Sequence, residues 1–204
     1  ITGHALFFQH AAWYDVLTGV DARGPDASTA TLRAQLYDSD DTPLAALASF
    51  AAYLFNNNAT IAIFAFALGV FACAPTVALV VFNGMALGAF VALHVDRGLG
   101  WDVFAWLSIH GVTELWAICI AAGGGFRLGM AVLFPGRRTR GDALRHAGGD
   151  AGKLAVIAAL MLVAAAVLEG FGRQLVTGLE ARLVIGWGVG ALWLAWFALA
   201  GRDA

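Results

Sequence analysis

Between residues 53 and 200 the chain is a series of apolar runs separated by short polar breaks, each run about as long as one helical crossing of a lipid bilayer. A crossing takes about 20 residues, and the breaks place crossings at about 53–74, 76–94, 112–134, 153–170 and 183–200. Pro75 stops the first and leaves a tight turn into the second. The apolar run over 103–134 exceeds a single crossing, and a short interfacial or re-entrant element over 103–111 accounts for the excess. Residues 1–50 follow another pattern: Pro25 and Pro43 interrupt periodicity, a helical repeat is confined to the vicinity of Thr31 and Tyr37, and loops are expected over 24–26 and 38–43. Residues 1–14 read either as the tail of a preceding crossing or as an aromatic interfacial segment. The predicted fold is therefore all-α, a polytopic transmembrane helical bundle over 51–204 with about five spans. It follows an outer segment, 1–50, of short amphipathic helices lying on the membrane.

Composition agrees with lipid as the solvent. Hydrophobic residues make up 60% of the 204 positions and charged residues only 13%, against about 25% charged in soluble domains, and the mean hydropathy is +0.76. One bundle fits this length, and a second large domain does not. A net charge of -2, without basic runs interleaved with aromatics, excludes nucleic acid as a partner. Cys73 and Cys119 lie within apolar runs and read as small hydrophobes rather than as a disulfide.

Charge then sets an orientation. Residues 1–50 carry Arg23 and Arg33 against Asp15, Asp21, Asp26, Asp38, Asp40 and Asp41, whereas residues 135–153 carry Arg137, Arg138, Arg140, Arg145 and Lys153 against Asp142 and Asp150. By the positive-inside rule 135–153 and the C-terminus are cytoplasmic, and 1–50, 96–102 and 171–182 lie outside. A chain that starts inside then needs one more crossing before Ile1.

The candidate chemistry centres on His110 and Glu114, four positions apart and hence on one helix face. An ionisable residue at membrane depth costs roughly 2.5 to 3.5 kcal/mol on the insertion scale. The pair reads as a structural hydrogen-bonded contact, as part of an ion, proton or polar-ligand pathway, or as a metal site. The metal reading is weak, because a site wants three or four ligands and His4, His10, His94 and His146 fall in loops or at span ends. Asn56, Asn57 and Asn83 join them in a candidate polar intramembrane site, together with Arg127, which either snorkels or pairs with Glu169 or Glu114. Glu169 and Arg173, again four apart, read as a local ion pair. The glycines at 123–125 lack the strand and Lys-Ser/Thr of a phosphate loop, and the serines lack a His and carboxylate arrangement, so neither a cofactor nor a catalytic set is expected. The pairs Gly84 with Gly88, Gly125 with Gly129 and Gly186 with Gly190 suit close helix packing within one bundle, with a homo-oligomer seam as the alternative.

An ordered series of motifs runs through nearly the whole chain: Asp21-Ala-Arg-Gly-Pro-Asp-Ala-Ser28, Phe55-Asn-Asn57, Ala65-Phe-Ala-Leu-Gly69, Pro75-Thr76, Phe82-Asn-Gly84, Leu87-Gly88, His110-Gly-Val-Thr-Glu114, Ala122-Gly-Gly-Gly125, Arg127-Leu-Gly129, Phe134-Pro-Gly136, Leu168-Glu-Gly-Phe171 and Arg173-Gln174. In this order and spacing the chain resembles the stage II sporulation protein M family of bacterial and archaeal membrane proteins. Asn58 adds a third consecutive asparagine where the motif needs two, which leaves open which amide points inward. The resemblance implies a bacterial cytoplasmic membrane, an initial cytoplasmic portion and span outside this numbering, and no established catalytic chemistry. The founding member acts in engulfment alongside cell-wall hydrolases, and relatives also occur in organisms that make no spores. The leading expectation is thus a non-enzymatic protein that organises or anchors membrane or envelope partners. The rival is a small transporter or channel lined by Asn57, Asn83, His110 and Glu114, and an intramembrane metalloenzyme is a more remote reading.

Overall fold

The computed structural model describes residues 2–18, 24–37, 44–172, 175–176 and 178–200, and among them every regular element is a helix: α1 Thr2–Gln9, α2 Ala12–Thr18, α3 Thr29–Tyr37, α4 Leu44–Ala67, α5 Ala74–Asp96, α6 Gly100–Leu133, α7 Arg140–Val167 and α8 Leu179–Leu199. A 3-10 turn, Leu68–Val70, ends α4, and a π-helical turn, Leu168–Gly172, ends α7. Among the described residues α5, α6, α7 continued to Gly170, and α8 are long and apolar enough to cross a membrane, and Phe55–Val70 is a shorter apolar stretch. This is an all-α membrane bundle. The outward face of α7 carries Val156, Leu160, Val163 and Val167 at helical spacing, all exposed, a stripe suited to lipid rather than water.

The central helix is α6, which packs against α4, α5, α7 and α8. The separate element expected over 103–111 is instead the first turns of this 34-residue helix. Its polar residues turn inward and need no water, and Gly111 costs a helix only about 1 kcal/mol, so nothing unwinds the chain there. At 1.5 Å per residue α6 spans about 51 Å, well beyond a hydrocarbon core of about 30 Å. Its excess lies partly at Trp101 and Asp102, an exposed aromatic and a half-buried acid of the kind found at interfaces.

Small residues let α4 meet α6. Asn58, Ala62, Ala65 and Gly69 recur at i, i+4, i+7 and i+11; Ala62, Ala117, Ala121 and Ala158 are buried with Met161 and Leu162, and Ala65 is buried too. Gly69 faces Gly125 so closely that a Cβ on either would strike the other helix's backbone. After Gly69 the chain reverses through Ala72 and Cys73, both left-handed (φ 58° and 66°). The Thr76 hydroxyl donates to the Ala65 carbonyl (2.8 Å), satisfying one acceptor that the helix end leaves open. The first helix therefore ends some residues ahead of the expected position 74. Similarly, α7 starts within the basic segment, where Thr139 caps it by accepting from the Asp142 N–H (3.2 Å).

Residues 2–18 and 24–37 form a second cluster on the same scaffold. Phe7, Tyr14, Leu17 and Leu32 bury with Ala89, Ala92, Leu93 and Leu99. Helix α1 lies beside the middle of α5, not its end: Gly3 abuts Met85, and Gly88 faces the backbone of Gly3 and His4. Met85 is about 16 Å from either end of α5 at 1.5 Å per residue, so α1 runs alongside a span. Helix α3, capped by Ser28 accepting from the Thr31 N–H (3.1 Å), is tied down at several points. Arg97 donates to the carbonyls of Pro25 and Ala27. Tyr37 donates to Asp102 (2.7 Å), and buried Arg182 of α8 donates to the carbonyls of Leu36 (3.1 Å) and Val176 (2.7 Å).

Candidate functional site

Three elements converge on one buried polar cluster in the bundle. From α6 come His110 and Glu114, which share a face with the buried Ala117 and Ala121 of the α4 seam. From the π turn after α7 comes Glu169, and from α4 comes Asn58. His110 Nε2 lies 3.6 Å from Glu169 Oε1, with both side chains almost fully buried. Asn58 Nδ2 donates to Glu114 Oε1 at 2.7 Å. One donor atom each from His110, Glu114 and Glu169 falls within 4.8 Å of the other two. The Trp106 ring stands edge-on to the imidazole, with centroids 5.3 Å apart and planes at 88°. Two carboxylates this close repel one another, and a proton or a cation beside them relieves that repulsion.

The helix geometry explains which asparagine enters. Along α4 each residue advances about 100°, so Asn58 shares the inward face of Ala62 and Ala65, while Asn56 and Asn57 point away and are exposed. Asn56 and Asn57 are therefore outside the cluster, contrary to expectation. Asn83 is also outside it: its Nδ2 donates to the Leu79 carbonyl of its own helix (2.9 Å). Arg127 lies 13 residues beyond Glu114, about 20 Å along α6, out of reach of either glutamate. It is exposed and pairs with Asp150 (3.3 Å). Glu169 faces His110, and Arg173, its expected ion-pair partner, lies outside the described residues.

Asn58 and the role of Glu169 are what sequence reasoning missed. The signal for Asn58 was present in the small-residue repeat that it heads. Glu169 had none, because an α-helical register misplaces a side chain carried on a π turn, where an extra residue per turn rotates the face.

The glycine pairs serve packing within the chain. Gly125 and Gly129 sit against Ala65, Gly69 and Cys73, and Gly186 and Gly190 sit against Ser108, Ile109 and Val112 of α6. Gly88 meets α1, and Gly84 alone of the six has nothing within 4 Å of a built Cβ among the described residues.

A family model described as Stage II sporulation protein M matches residues 6–172. The matched range contains Asn58, His110, Glu114 and Glu169. No curated protein and no solved structure matches the chain.

Proposed function

The chain belongs to the stage II sporulation protein M family, and from that premise we propose that it is a non-enzymatic multi-pass protein that holds envelope or membrane partners at the bacterial cytoplasmic membrane. The observation that carries this reading is the latch between residues 24–37 and the helix ends beneath them. Arg97, Asp102 and Arg182, from the end of α5 and the starts of α6 and α8, all bind that segment. A surface fastened at three points keeps a partner in fixed register with the bundle, which a loose loop does not. In this reading residues 24–37 are the outer docking face, and the basic residues at 135–153 lie on the cytoplasmic side.

A photo-crosslinker placed at exposed Asp26 or Ala30 in native membranes tests it. The expected result is one recurrent envelope or membrane protein captured from both positions and absent from lipid-facing Trp187. Adducts confined to lipid at all three positions would contradict the reading. The transporter reading stays second, favoured by the His110, Glu114 and Glu169 cluster. Protein reconstituted in liposomes would then move an ion in a manner abolished by Glu114→Gln and His110→Ala, and equal flux in those variants counts against it.

A further inference from the structure

We propose that His110, Glu114 and Glu169 bind one divalent transition-metal ion of the zinc class inside the bundle. The proposal does not depend on the partner-holding role. The donor set is one imidazole and two carboxylates, a mixture that suits zinc, manganese or ferrous iron, whereas magnesium and calcium prefer oxygen alone. The spacing fits. Two ligands each about 2.05 Å from a tetrahedral ion are about 3.4 Å apart, and His110 Nε2 and Glu169 Oε1 are 3.6 Å apart. With all three donors within 4.8 Å of one another, small side-chain rotations bring the third into range.

The surroundings resemble those of a built site. His110 and Glu114 project from one face of an unbroken helix, so their separation is set by the backbone. Asn58 behind Glu114 (2.7 Å) orients that carboxylate, the task that outer hydrogen-bonding groups perform at metal centres. Trp106 restricts the imidazole from the side. A divalent ion bound there also offsets the mutual repulsion of the two carboxylates. The ligands come from α6 and from the turn after α7, so the ion would fasten those two elements, with α4 attached through Asn58.

The test uses the full chain purified in lipid nanodiscs, stripped with chelator and titrated with Zn2+ alone. The expected result is one tightly held ion per chain. Affinity should be more than tenfold weaker in Glu169→Gln and His110→Ala, and about 10- to 100-fold weaker in Asn58→Ala. X-ray absorption of the zinc-loaded wild type guards against variants that fail to fold, and one nitrogen with two or more oxygens at about 2.0–2.1 Å is expected. Failure of the stripped, folded wild type to bind Zn2+ would overturn the proposal. So would unchanged affinity in folded His110→Ala, which would place the ion at surface histidines, or an absorption spectrum lacking the nitrogen.

Discussion

Asn58 makes a short hydrogen bond to a buried carboxylate while its two neighbours in the same triplet face outward. Interhelical polar contacts in membranes contribute roughly 0.6 to 2 kcal/mol. Thermal unfolding in detergent should therefore show Asn58→Ala destabilised by about that amount and Asn56→Ala and Asn57→Ala within about 0.5 kcal/mol of the parent. Tyr37 offers a pH-dependent contrast. Burial, followed by its hydrogen bond to Asp102 and the charge of that aspartate, pushes its phenol above the usual tyrosine value. A raised folded-state value stabilises the neutral phenol, so the contribution is complete below about pH 10 and is lost as pH rises through the folded value. Stability measured against pH should fall on the alkaline side in the parent. Tyr37→Phe should be weaker by about 1 kcal/mol at neutral pH and show a shallower alkaline fall. At this scale the sequence located His110 and Glu114 from the oddity of charge within an apolar run. It could not rank three adjacent amides, because that needs the phase of α4 relative to α6, which Ala62 and Ala65 reveal only once they are known to be buried.

The helices follow from the apolar runs, and their junctions do not. Apolar length alone marks α5, α6, α7 and α8, but no local signal says that the run over 103–134 is one continuous helix rather than two elements. The answer depends on α8, whose Gly186 lets it press against the backbone of Ser108 and Ile109 and support that stretch as helix. The α4–α6 seam gives the sharpest test of how elements meet. A Cβ at Gly125 would stand 2.6 Å from the carbonyl oxygens of both Ala65 and Phe66, backbone atoms that move only if the helices part. Gly125→Ala should cost about 1–3 kcal/mol, as overpacking does. Gly84→Ala, which meets open space, should be neutral or stabilising by up to about 1 kcal/mol through helix propensity. Unfolding midpoints of the two variants in one detergent check the contrast, and equal shifts would deny the seam.

For the molecule as a whole, the latched outer segment and the buried cluster are two devices that join elements distant in sequence, and neither is visible in hydropathy. Arg182 reads from sequence as a charge at a span's end. In the fold it is buried, lies over the Tyr37 ring at 5.0 Å and binds the end of α3. Arg182→Met would leave the carbonyls of Leu36 and Val176 without these donors, at about 1–3 kcal/mol each. Hydrogen exchange should then quicken by tenfold or more across α3 and stay unchanged in α7. The meeting of Asn58, His110, Glu114 and Glu169 inside a lipid-embedded bundle is best probed by a double-mutant cycle in nanodiscs, pairing Asn58→Ala with Glu114→Ala and, as the control, Asn57→Ala with Glu114→Ala. A coupling of about 0.5–3 kcal/mol for the first pair, with less than about 0.5 kcal/mol for the second, is the expected result. Additivity in both pairs, or equal coupling in both, would mean that α4 and α6 do not meet as described.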